Sequence, residues 1–329
     1  MTSRERVLSA VRHQEPDRVP IDCGAMRSTG IQAIAYNKLK AHLGLEGGHT
    51  RVFDVIQQLA EPEADHLDRF HVDAINAGRD FAPENWKDWT LPDASPCRIP
   101  SYMDFRQDGD DWLAFNADGE LVARMIQDAT YFSQTCYPLD RDDWASTLDR
   151  VAGEMGRVCW AALSEPIYEG GLSDANIQRI AAHVKHLRQT SDRAIMIAFG
   201  ANLFEWASYL RRMDNFLMDL VAAPAWAEAL LDKLVEIHLA GLDRLLPVLG
   251  DNVDLIQLGD DLGTENGPFF SPKLFRELFK PRYRIIINHV RRNIDTFGPG
   301  GGFVFCQVHN ILAEVPPENV VAMYEAAME

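Results

Sequence analysis

Short apolar runs that each stop at a glycine or an acidic turn, separated by amphipathic stretches, constrain this chain more than any other feature. The clearest is residues 194–199 (AIMIAF), which end at Gly200 and have no polar face. A strand apolar on both faces must be covered on both, as in a parallel sheet flanked by helices. Residues 253–258 repeat the pattern and end in Gly259-Asp260-Asp261, and residues 72–77 end at Gly78-Arg79-Asp80. Residues 19–23 and 302–308 are two further strand candidates. The segments between them carry helix signals. Thr2-x-x-Glu5 has capping-box form ahead of Val7, Leu8 and Val11. Ser173 precedes Ile177, Ile180, Val184 and Leu187 at helical spacing. Pro224, Pro272 and Pro317 stand where first helical turns begin. The alternation predicts an α/β fold with a parallel sheet, open or closed, and chemistry where its strands end.

Residues 81–140 differ in character. They are rich in Trp, Pro and Asp, and Asp118-Gly119 lies between alternating runs within 111–125. That is a β-hairpin signal, inserted where a lid or pocket wall would sit. No G-x-G-x-x-G opens a helix after a strand, so a dinucleotide fold has no support.

Net charge narrows the class of partner. At −17 the chain does not suit a basic nucleic-acid groove, and it would be repelled by an anionic membrane face. An anionic small substrate stays possible, because one arginine can dominate inside a pocket. The first residues lack the apolar core of a signal peptide, and no run reaches the ~20 apolar residues of a membrane span. Five scattered cysteines read as reduced thiols. These features predict a cytoplasmic enzyme acting on a small molecule.

Arg27, in the loop after the first strand candidate, has the fork geometry to hold a carboxylate; a surface arginine has the same signature. Asp80 ends a strand and suits proton transfer or cation binding, or simply a turn. Tyr209 offers a phenolic donor or a core aromatic. Asp260 and Asp261, with Asn266 beyond them, suit substrate binding or turn and cap chemistry. In a regular strand, side-chain alternation predicts that at most one of the adjacent aspartates faces a pocket. His309 ends the last strand candidate and suits acid/base or metal work, whereas Cys306, at an odd offset, points away.

Several segments together resemble a known family. RERVLSAVRHQEPDRVP, the MRSTG loop, IAFGANLFEWASYL, IQLGDDLG and VHNILAEVPPENVVAMYEA are similar to the uroporphyrinogen decarboxylase superfamily, and closer to its corrinoid-dependent methyltransferase branch. The resemblance implies a (β/α)8 TIM-barrel domain over residues 1–329 with 81–140 inserted. It implies an active site of Arg27 for a substrate carboxylate, Asp80, Tyr209 and His309. A second family arginine falls on Ile31 here. The methyltransferase branch implies a corrinoid, free or carried by a corrinoid protein, as methyl acceptor. It also implies zinc, for which His309 matches one ligand position while the His-x-Cys pair is absent. After FKPRY the chain runs quickly into its final strand candidate. A gap of ~60–90 residues would remove two or three strand–helix units of ~30 residues each. The barrel is therefore expected to be incomplete, with five recognisable strands. Three activities follow: methyl transfer from a small methoxy-type donor, uroporphyrinogen decarboxylation, or an inactive barrel completed by a partner.

Overall fold

The computed structural model describes residues 1–45, 49–77, 85–162, 173–294 and 310–328. A parallel sheet lies at its centre, with Ala194–Gly200 between Ala74–Asn76 and Leu255–Leu258. A parallel bridge from Asp22 to Ala74 extends it. Four of the predicted runs thus stand side by side in chain order, as strands do around a barrel wall. Residues 19–23 contribute only the bridge, and Pro20 has no N–H to give a ladder. Residues 302–308 lie outside the described residues.

The central strand forms because the side chains on its helix-facing side have somewhere apolar to go, while Met196 and Ala198 on the other side are half-buried. Ile195 and Ile197 are fully buried against Ile180 and Val184 of the Asp174–Thr190 helix and Leu245 and Leu249 of the Pro224–Leu249 helix. Ser173 caps the first of these helices, its Oγ accepting from Asn176 N at 3.3 Å. Pro224 opens the second from its first turn. Thr2 and Glu5 close the predicted capping box on the Ser3–Val11 helix.

Buried carboxylates fasten the N-terminal end of the sheet. Asp73 accepts from Arg6 and Arg18, both at 2.7 Å, and from the Ile21 N–H at 2.9 Å. Asp254 accepts from Arg4 at 2.7 Å, from the Ile195 N–H at 2.9 Å, and from Arg188. Both sit just before a strand, so the N-terminal helix and the sheet are locked together there.

Residues 85–140 contain the expected hairpin. Asp111–Phe115 pairs with Leu121–Met125 around Gly119, whose φ of 78° needs no side chain to accommodate. Asp104–Asp108 and Ser133–Gln134 widen it into a four-stranded antiparallel sheet. Gln134 Nε2 donates to the Tyr209 carbonyl at 2.6 Å, which makes this sheet a wall beside the strand ends.

The opposite edge is different. Leu255–Leu258 has a single strand neighbour among the described residues, and all four of its residues are only half-buried. A cavity of about 700 Å³ lies between it and the Lys280–Ile294 helix, lined by Leu258, Phe275 and Ile287 with Arg276, Lys280 and Arg284. No closed barrel is formed by the described residues. No described helix is long and apolar enough to cross a membrane.

Candidate active site

Where the central strand ends, the chain must turn at once. Gly200 has φ 77°, where a side chain would be strained and would push Asn202 aside. The Phe204–Arg211 helix starts immediately afterwards. Phe204 anchors its first turn, fully buried against Phe269, Phe270 and Phe279. Residues flanking that anchor face a cavity of about 560 Å³ at the C-terminal ends of the strands.

Asp260 holds the start of this helix. Its carboxylate accepts from the N–H groups of Leu203 (2.7 Å), Phe204 (2.6 Å) and Glu205 (2.9 Å), and from the Tyr283 hydroxyl. An anion at a helix N-terminus satisfies donors that have no intrahelical partner. Burial nevertheless raises its pKa to about 6, against the lowering pull of Tyr283 and of the backbone donors.

Glu205 and Tyr209 are one helical turn apart. The Tyr209 hydroxyl donates to Glu205 Oε1 at 2.7 Å. Glu205 Oε2 accepts from the Asp261 N–H at 3.2 Å and from the Asn202 side-chain amide. Burial, reinforced by the Glu205 charge, pushes the Tyr209 phenol well above its ordinary value, so it remains a donor. Trp160 stacks on the Tyr209 ring with centroids 5.2 Å apart, and Trp206 meets it edge-on at 5.9 Å and 80°. His238, lowered to about 4 by burial, keeps a ring nitrogen 3.1 Å from the Asn202 carbonyl.

Arg27 comes from a short 3-10 turn on the opposite wall. Its Nε lies 2.6 Å from Asp54 Oδ2, and buried Asp54 is oriented by two further bonds from Gln57, at 2.9 and 3.0 Å. Gln57 and Gln257 also line the cavity.

Arg27, Tyr209, Asp260 and Asp261 are therefore brought together, though they are far apart in the chain. Both aspartates line the cavity, since the regular strand on which the one-sided expectation depended does not reach them. The strand ends at Leu258, and strict alternation stops with it. Asp260 spends its oxygens on a helix cap, whereas Asp261 is exposed. Asn266 does not reach the cavity; it is exposed in the turn joining Gly263–Thr264 to Gly267–Pro268, which carries it outward. Asp80 and His309 lie outside the described residues. Glu205, Trp160 and Trp206 were not singled out from the sequence. The i, i+4 spacing of Glu205 and Tyr209 was the available signal, whereas Trp160 arrives from a distant segment.

The sequence model described as uroporphyrinogen decarboxylase (URO-D) matches residues 165–297. The family resemblance read from the sequence is thus shown over the span that carries IAFGANLFEWASYL and IQLGDDLG. No curated protein matches the chain. Among solved structures, one described as a methyltransferase from Methanosarcina mazei matches with a TM-score of 0.44 and 17% identity, over 88% of this chain and 67% of that one.

Proposed function

We propose that this relative of the uroporphyrinogen decarboxylases is an enzyme that transfers a methyl group from a small methylated donor to a corrinoid, free or protein-borne. The observation that carries this reading is the charge of the cavity. Among the described lining residues Arg27 is the one cation, and it is already countered by Asp54, while Glu205, Asp260 and Asp261 supply three carboxylates. A tetrapyrrole bearing eight carboxylates needs the reverse. Each missing charge-assisted bond forgoes about 1.5–3 kcal/mol. Ile31, where the family's second arginine falls, is fully buried in a short strand paired with Ala60.

In this reading the chain binds and orients the donor. Tyr209 and Glu205 fix one wall, Trp160 and Trp206 exclude water from it, and Arg27 marks the other. A corrinoid, when bound, would supply a cobalt nucleophile for the methyl carbon. The zinc reading rests on His309, outside the described residues. No three His, Cys, Asp or Glu side chains able to hold a metal gather among the described ones. We read the parallel sheet as part of an incomplete barrel in one domain, with residues 81–140 inserted and Leu255–Leu258 at the open edge.

Incubation with cob(I)alamin and a panel of methoxy, methylthiol and methylamine donors tests the proposal. Methylcobalamin formation from at least one donor is expected, and silence from folded protein across the panel would overturn it. Decarboxylation is favoured only by Arg27 standing in the cavity, and its measure is coproporphyrinogen formation.

A further inference from the structure

We infer that the donor taken by this cavity is a methylated ammonium cation, not a neutral methoxy compound. The inference rests on the methyl-transfer reading and specifies its substrate class. Two independent features of the cavity support it. One is the aromatic corner, in which Trp160, Trp206 and Tyr209 face the same space, with Trp160 stacked on Tyr209 and Trp206 edge-on to it. Indole and phenol faces attract cations through their quadrupoles, and clustered aromatic rings are the usual receptor for methylated ammonium groups. The other is charge. Glu205 stands on the same helix as two of these rings, and Asp261 joins it at the cavity rim. Neither is paired with a cation in any described contact. The guanidinium among the described lining residues, Arg27, is engaged by Asp54.

The hydrogen bonding of the corner points the same way. A methyl ether loses its methyl group by releasing an alkoxide, which needs a proton or an equivalent electrophile as it leaves. The phenol at this wall, Tyr209, gives its hydrogen bond to Glu205 at 2.7 Å. A quaternary nitrogen has no such need. One C–N bond breaks, its electron pair stays on nitrogen, and a neutral tertiary amine departs while the methyl group passes to the Co(I) corrinoid. An ammonium donor therefore matches a corner that offers rings and carboxylates but keeps its phenolic proton engaged.

Isothermal titration of the full chain with choline and with its uncharged isostere 3,3-dimethylbutan-1-ol tests the inference, and tryptophan fluorescence gives a second readout. Choline is expected to bind at least tenfold more tightly than the isostere, about 1.4 kcal/mol. Trp206→Leu and Glu205→Gln, each checked by thermal melting, are expected to erase most of that preference. Equal binding of the two ligands, or a preference unchanged in both folded variants, would overturn the inference. The methyl-transfer reading fails separately. Methylcobalamin formed from a methoxy donor without choline binding overturns the cation inference alone. A tenfold choline preference with no transfer from any donor keeps the cation site and overturns the transfer reading.

Discussion

The two ends of the parallel sheet both carry carboxylates set among strands and helices, but they balance those charges in opposite ways. At the N-terminal end Asp73 is wholly buried between Arg6 and Arg18, and Asp254 lies between Arg4 and Arg188. At the C-terminal end Asp260 and Glu205 face tyrosines, amides and backbone N–H groups, with no arginine against either in the described contacts. The first arrangement is closed: each of these carboxylates is answered by two arginines within the fold. The second leaves negative charge beside open space. Charge that the fold does not cancel is available to a ligand, and parallel α/β folds place their chemistry at this end.

The largest expected effect comes from breaking the closed end. Asp73→Ala takes the carboxylate from Arg18, leaves Arg6 paired with Asp17 and unpairs the Ile21 N–H; it should cost about 3–5 kcal/mol in urea unfolding, with methyl transfer per folded molecule unchanged. A small stability loss would mean that the clamp does not hold the helix to the sheet. At the open end, Asp260→Ala removes the acceptor of three helix N–H groups and the Tyr283 hydroxyl. A smaller loss of about 1–3 kcal/mol is expected, with a loss of transfer because Glu205 and Trp206 are no longer positioned. Equal losses from the two substitutions would erase the contrast.

Protonation sharpens it further. The Asp260 carboxyl is raised from 3.8 to about 6 in the folded chain, so the folded state takes up its proton more readily than the unfolded state. Its contribution to stability is full below pH ~4 and is lost as pH rises through about 6. Tyr283→Phe deletes a donor that lowers this value, so the upper edge of the window should move above 6 in unfolding measured across pH. An unmoved edge would show that the hydroxyl does not act on Asp260. The smallest effect belongs to Asn266→Ala. Its side chain is exposed in a turn away from the cavity, and changes within about 0.5 kcal/mol in stability, with unaltered transfer, are expected.

What was legible in the sequence follows the same division. Residues 194–199 announced themselves as an unbroken apolar run stopped by a glycine, and residues 255–258 by the Gly259-Asp260-Asp261 turn that ends them. Asp118-Gly119 announced its hairpin because the turn requires a glycine at positive φ. Arg27, Asp260 and Asp261 could be proposed because loops at strand ends are where sites form, and Tyr209 because its helix carries the family resemblance. What each side chain would touch was another matter. The partners of Asp260 come from residues 203–205 and 283, and the partner of Arg27 is Asp54, on a separate strand. Trp160 reaches Tyr209 only through tertiary packing. Asn266 stands outside this cavity because a two-residue reversal carries it outward, which is not distinguishable from a continuing pocket wall without knowing where the strand stops.

The central claim is that the uncancelled charge at the C-terminal end serves methyl transfer. Its most direct test is the rate of methylcobalamin formation by Glu205→Gln against the unaltered chain, with thermal melting of both. The account predicts a rate at least ~100-fold lower, about 2.7 kcal/mol of barrier, with stability changed by less than about 1 kcal/mol. An unaltered rate in a folded Glu205→Gln protein would contradict it.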